Sequence, residues 1–284
     1  MKKSRTRTLQ SAKYLKKKRK KKVLNLSIGI LGIVILVSLV ILIFNLRAFQ
    51  VTHINIQGVK TLDEGSLVRT SFSSLEGKYF NFIPKSSIFF FSKKEIENIL
   101  KDTYKKIDTV KIERRDLSTL DVSIEERTPV AIVCDGFKED TLSERCFFVD
   151  KKAYVFERAS GISEGVYVKY YLGHRENPLK PGDVFLDKNN FEGLQKFVNS
   201  IKNIDVNVAG ILIGDSGTYE LYLRNSDGSI TVVYFDDRTS FDKTASNFIA
   251  FWQSAIDKKL GTSTLPIFDY INLKFGNNVF YTTR

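Results

Sequence analysis

The chain has 284 residues, with 44 Lys and Arg against 32 Asp and Glu and a formal net charge of +12. Twelve of the basic residues lie in positions 1–22, where no acidic residue occurs, so the remainder balances at 32 against 32. The excess charge is therefore confined to a tail, so the high net charge is no argument for polyanion binding by the rest. With Tyr14 the single aromatic residue among those charges, no nucleic-acid partner is expected.

Residues 23–46 are 24 consecutive positions without a charged side chain. At a rise of about 1.5 Å per residue such a run crosses a hydrocarbon core of about 30 Å, and the flanking positive charge predicts a cytoplasmic N-terminus. The basic tail can also hold anionic lipid. A secretory signal has an apolar core of about 7–15 residues and a small-residue cleavage site. Here the run is longer and leads into Asn45-Leu46-Arg47-Ala48-Phe49, so an uncleaved anchor is expected. The remaining residues then lie outside the cytoplasm as two domains, 47–128 and 129–284.

The first domain opens with Val51–Gly58, where Thr52, Ile54 and Ile56 alternate with His53, Asn55 and Gln57, the pattern of a half-buried strand. Thr61-Leu62-Asp63-Glu64 has the form of a capping box and precedes Leu67, Val68, Phe72 and Leu75 at helical spacing. Ser92-Lys93-Lys94-Glu95 repeats the signature before a stripe of Ile96, Ile99, Leu100, Tyr104 and Ile107. Two strands follow, carrying Val110 and Ile112, then Leu120, Val122 and Ile124. The expected order is strand, helix, helix, strand, strand, with the helices on one side of a small sheet.

Beyond Pro129 many short alternating strands are expected with two helices among them. Phe191, Leu194, Phe197, Val198 and Ile201 mark the first; Phe241, Ala245, Phe248, Ile249, Trp252, Ala255 and Ile256 mark the second, ending at Gly261. Tyr219, Leu221 and Leu223 are expected to face Ile230, Val232 and Tyr234 across a turn at Asp227-Gly228. A terminal hairpin is expected in which Ile271, Leu273 and Phe275 share a face and Gly276-Asn277-Asn278 turns into Val279-Phe280-Tyr281. The fold class is thus α+β: one transmembrane helix, a β-α-α-β-β domain and a mostly antiparallel β domain with inserted helices.

Cys134 and Cys146 are the ends of a stretch of thirteen positions, counted inclusively, on the side of the membrane where disulfides persist, inside what reads as a hairpin that would set the thiols opposite each other. A structural disulfide is expected. A redox pair would need C-x-x-C, and zinc would lack further ligands.

Catalytic chemistry finds thin support. His53 and His174 stand outside any motif and read as surface residues. Asp135, Glu139, Asp140 and Glu144 lack calcium-loop spacing and read as a solvated loop, as does Asp236-Asp237-Arg238. No enzyme activity, cofactor or metal is expected. The aromatic group Tyr79, Phe80, Phe82, Phe89, Phe90 and Phe91 admits two readings, core packing or contact with a partner or the membrane surface.

Several segments resemble the FtsQ/DivIB cell-division proteins. They are Val51–Gly58, Thr119-Leu120-Asp121-Val122-Ser123-Ile124-Glu125-Glu126-Arg127-Thr128-Pro129-Val130-Ala131, Phe148–Phe156 and Tyr270-Ile271-Asn272-Leu273-Lys274-Phe275. Asp116-Leu117, Ala153 and Asn272 depart from that family's pattern. The resemblance implies a POTRA domain and a C-terminal β domain that binds small single-span division proteins of the FtsL and FtsB/DivIC kinds at the septum. Tyr270, Leu273, Phe275, Val279 and Tyr281 are the expected contact residues, through addition of a partner strand to the last strand. The alternative is a POTRA-containing envelope or secretion adaptor.

Overall fold

The structure is a computed structural model and describes residues 12–136, 145–160, 165–173, 177–257 and 267–284. The chain divides into two compact units, one of Met1–Leu100 with Thr109–Ile124, the other of Lys101–Asp108 with Glu125–Arg284.

The first unit begins with helix α1 (Ala12–Phe44), which starts inside the basic tail and is long and apolar enough to cross a membrane, with none of its apolar stretch buried. Then come β1 (His53–Gln57), α2 (Glu64–Ser73), β2 (Lys78–Tyr79), β3 (Ile83–Pro84), α3 (Lys93–Thr103), β4 (Ile107–Arg114) and β5 (Thr119–Glu126). Their sheet has the order β1-β5-β4, with β1 parallel to β5 and Ile54 opposite Leu120. Ile54, Ile56, Leu120 and Val122 are buried, as are Leu67, Ile96 and Leu100 from the helices. Gly58 ends β1 at φ +83°, where a Cβ would stand 2.3 Å from the Ile124 carbonyl oxygen, so only glycine fits.

Several local expectations are corrected. Thr52 is exposed and bonds to the His53 ring, and Val51 is buried in its stead, because the strand starts only at His53, two residues later, so the alternation does not reach back to Thr52. The cap of α2 is Asp63, whose carboxylate accepts from Ser66 N at 2.8 Å, in place of Thr61. For α3 the expected cap holds, with Glu95 N donating to Ser92 Oγ at 3.2 Å. Tyr104 lies past its end and Ile107 opens β4, since an apolar residue at helical spacing can equally be the first inward position of a strand. The small β2–β3 hairpin was not expected.

The second unit holds β6 (Ala131–Asp135), β7 (Cys146–Val149), β8 (Val155–Arg158), β9 (Lys169–Leu172), α4 (Lys188–Lys202), β10 (Val208–Ile213), β11 (Thr218–Arg224), β12 (Ile230–Asp236), α5 (Phe241–Asp257), β13 (Phe268–Phe275) and β14 (Asn278–Thr283). One nine-stranded sheet runs β14-β13-β12-β11-β10-β9-β6-β7-β8. Five of its eight pairings are antiparallel; β6–β9, β9–β10 and β12–β13 are parallel. Asp187 caps α4 by accepting from Asn189 N and Asn190 N. All five residues marking α4 are buried in a core shared with Val133, Tyr170, Ile211, Leu221, Val233 and Phe248. On α5 the buried stripe includes Thr244, while Ile256 is exposed; Gly261 lies outside the described residues.

The β11–β12 register differs from expectation by one residue. Tyr219, Leu221 and Leu223 face Phe235, Val233 and Thr231, which turns Ile230, Val232 and Tyr234 to the opposite face. In a strand a one-residue slip exchanges the faces completely, and both alternations are apolar enough here to pass as the core set.

Candidate partner-binding edge

The terminal hairpin pairs Ile271 with Tyr281, Asn272 with Phe280 and Phe275 with Asn278, with irregular register on either side. Gly276 supplies the left-handed φ of +65° at its two-residue turn. At the open end Arg284 pairs with Asp269, and its backbone N–H donates to Ile267 O at 3.0 Å. In the sheet β14 has one strand neighbour, β13, so it is an edge. Backbone groups along a sheet edge are a template for another strand.

The two faces of this hairpin differ. Ile271 and Leu273 are buried in the core, and Val279 packs against it. Tyr281 lies against Phe251 and Phe268, at ring distances of 5.0 and 5.5 Å, with part of its surface open. On the other face Tyr270 lies 6.2 Å from Tyr234, and Lys274 stands over the Tyr234 ring at 5.7 Å. Phe280 is 52% exposed and meets the exposed Phe275 edge-on at 5.1 Å.

Of the expected contact residues, Tyr270, Phe275 and Tyr281 present surface, whereas Leu273 is a core residue and Val279 is half-buried. Phe275 leaves the face of Ile271 and Leu273 because the register shifts between Asn272 and Phe275. Phe280 was missed, although alternation from Val279 already turns it outward.

Further along the same sheet face, Tyr222 donates to Glu220 Oε2 at 2.7 Å. Burial, then that bond, pushes the Tyr222 hydroxyl well above its ordinary range; burial, then the Glu220 charge, also raises Tyr234. Both phenols therefore stay protonated donors at neutral pH. At the end of β12, Asp236 is buried rather than loop-exposed. The Arg238 guanidinium donates to it at 2.9 and 2.5 Å and holds its carboxyl below the usual range.

Cys134 and Cys146 face each other in the β6–β7 register, 4.1 Å apart at Cα, and are joined by a disulfide. Asp135 accepts from Leu179 N at 3.2 Å, a structural use of its carboxylate. Glu139, Asp140, Glu144 and His174 lie outside the described residues, and His53 is exposed on β1. Among the described residues, no group of three or more His, Cys, Asp or Glu is arranged to hold a metal ion. What the hairpin can do chemically is offer a backbone edge flanked by exposed aromatic rings. No known family model matches the sequence, and no curated protein matches it.

Proposed function

We propose that the chain is a membrane-anchored, non-enzymatic scaffold of the FtsQ/DivIB type. The span is α1, its basic end is cytoplasmic, and the two units work outside the cytoplasm at the division septum. The first unit is read as POTRA-like, a reading supported by its two helices between β1 and the β4–β5 pair, with the β2–β3 hairpin inserted between those helices, and by β1 lying parallel beside β5. The basic tail contacts anionic lipid.

The observation that carries the proposal is β14, an edge strand with exposed Phe280, Phe275 and Tyr281 on or beside it. A strand from a small single-span partner of the FtsL or FtsB/DivIC kind adds to this edge. Main-chain hydrogen bonds supply affinity and alternate side chains the register.

In-cell photo-cross-linking from position 280, with exposed Lys188 as the reference position, tests it. Attachment of a small single-span division protein at 280 and not at 188 supports the scaffold. Attachment of translocating secreted proteins favours the secretion adaptor, and no specific product at 280 removes β14 as the contact.

A further inference from the structure

The aromatic group between α2 and α3 is only partly a core. Phe91 is buried, but Phe80 is 82% exposed, and Phe82, Phe89 and Phe90 are exposed as well. Phe80 and Asn81 form the tip of the β2–β3 hairpin, with Phe82 N donating to Tyr79 O at 3.2 Å and Tyr79 opposite Ile83. Both tip residues have left-handed φ, +50° and +66°. The loop between the paired Tyr79 and Ile83 is Phe80-Asn81-Phe82, and a bulky residue at positive φ, as Phe80 is, is an outlier costing about 1–2 kcal/mol. A ring held at that position and turned to solvent stabilises nothing in the folded unit, so the strain points to a use outside it.

The hairpin is fastened to the end of α1. Asn45 Nδ2 donates to Phe82 O at 2.9 Å and to Ile41 O, in the last helical turn, at 2.8 Å. Gln50 Nε2 donates to Asn45 O at 3.0 Å, Val51 N to Ser86 O at 2.7 Å and Ile88 N to Phe49 O at 2.8 Å. The Phe44 ring meets Phe89 at 5.7 Å and Phe90 at 4.8 Å.

These contacts fix a depth. From Val23 to Phe44 the helix rises about 33 Å, which matches a hydrocarbon core of about 30 Å. If the charged tail holds the other end at its surface, Phe44 and Asn45 emerge at headgroup level. Groups bonded to Asn45 share that level. Trp, Tyr and Phe rings with nearby Lys and Arg are the side chains suited to it, ring in the acyl boundary and cation in the headgroups. Arg47 and Lys78 are exposed beside this group, and Lys85 stands over the Tyr79 ring at 5.4 Å while pairing with Glu95.

We propose, resting on the reading of α1 as a membrane span, that the β2–β3 hairpin tip is a membrane-surface anchor. Phe80 and Phe82, backed by Phe89 and Phe90, insert at the acyl–headgroup boundary of the leaflet from which α1 emerges. The lipid surface is the occupant because Phe89 and Phe90 pack against Phe44, in the last turn of a helix that lipid must itself surround, and Phe89 also meets Phe49 just beyond that helix. The span and the first unit are thereby joined through side-chain and backbone bonds and through shared lipid, which limits the tilt of that unit on the membrane.

Depth measurement by spin labelling tests the anchor on the full chain. Its two cysteines are disulfide-bonded, so an introduced cysteine is the single free thiol. Phe80→Cys, Phe82→Cys, Leu36→Cys in the span and Lys188→Cys as a water reference are each labelled with a nitroxide. Each is reconstituted in phosphatidylcholine vesicles containing a minor share of phosphatidylglycerol. Oxygen partitions into lipid and a nickel chelate into water, so their relative access reports depth.

The expected result is an oxygen-over-nickel ratio at 80 and 82 shifted from the value at 188 toward that at 36. Labels at 80 and 82 that match 188, with 36 still protected from nickel, overturn the hairpin anchor and leave the span standing. Nickel access at 36 itself overturns both. Protection of 80 from both reagents overturns the lipid assignment in favour of a protein neighbour.

Discussion

Arg127 and Asp150, 23 residues apart, form an ion pair with side chains only 10% and 5% exposed. The same guanidinium Nη1 lies 3.0 Å from Asp108, Nε donates to Lys105 O at 3.1 Å, and the group stacks over the Tyr154 ring at 3.9 Å. Asp150 in turn accepts from the backbone N–H of Lys152 and Tyr154. One buried cation thus fastens the start of the second unit to the turn between β7 and β8.

Arg127→Ala leaves Asp150 without its counter-charge beside an Asp108 that keeps only Lys152, and breaking a buried pair of this kind costs about 3–5 kcal/mol. Arg127→Lys keeps the charge but loses the fork and the stacking, so only part of the stability returns. Thermal unfolding of the full chain in detergent should rank wild type above Lys above Ala. Equal midpoints for all three would show that the pair is dispensable.

The same network predicts an acid transition. Burial opposes ionisation of Asp108, but the hydrogen bond from Lys152 and the charges of Arg127 and Lys152 outweigh it, so its carboxyl stays below the ordinary value. Asp236 is lowered likewise, by the Arg238 hydrogen bond first. A depressed folded value gives stability that is complete above the unfolded value near 3.9 and is lost as pH falls through the folded one. The unfolding midpoint should be level down to about pH 5 and drop below about pH 4, with a shallower drop in Asp108→Asn.

Ala153 sits at φ +59° in the β7–β8 turn and is fully buried. It occupies the slot of a turn glycine, with its N–H donating to Asp150 O at 3.0 Å. A β-branched residue there combines left-handed strain with overpacking, so Ala153→Val should cost about 2–4 kcal/mol. Chemical denaturation of the purified chain measures it; a change within about 0.5 kcal/mol would contradict both costs.

Closing the span between Cys134 and Cys146 should stabilise the second unit by about 3 kcal/mol in the chain-entropy model. A Cys134→Ala, Cys146→Ala double variant is expected to unfold at correspondingly lower denaturant. An unchanged midpoint would place the local stability in the β6–β7 pairing alone.

How far the residues themselves disclosed this molecule depends on the range of each signal. Helix α4 was legible residue by residue because five apolar positions repeat at one period and all point into one core. The β11–β12 register was not, because Tyr222, Val232 and Tyr234 form a second apolar alternation, and only the sheet decides which one faces the helices. The Arg127–Asp150 pair left no periodic trace: both residues stand in segments that were singled out, but a contact across 23 residues has no local signature. Phe80 was visible as an aromatic residue, yet its exposure follows from a turn conformation that Phe seldom adopts.

Edge and core roles on the terminal hairpin should separate by substitution. Leu273→Ala removes buried side-chain volume and should cost about 2–5 kcal/mol of stability, so any loss of partner accompanies loss of fold. Phe280→Lys and Phe275→Lys alter exposed rings, and each should shift stability by no more than about 0.5 kcal/mol. A lysine along a sheet edge disfavours a further strand, because the incoming chain must pack against its charged head. Co-purification of the small single-span partner should therefore fall sharply in the two lysine variants while their unfolding midpoints stay at the wild-type value. Full retention of that partner by a folded Phe280→Lys, Phe275→Lys double variant would exclude these rings from the contact and leave β8, the opposite end of the sheet, as the edge to probe.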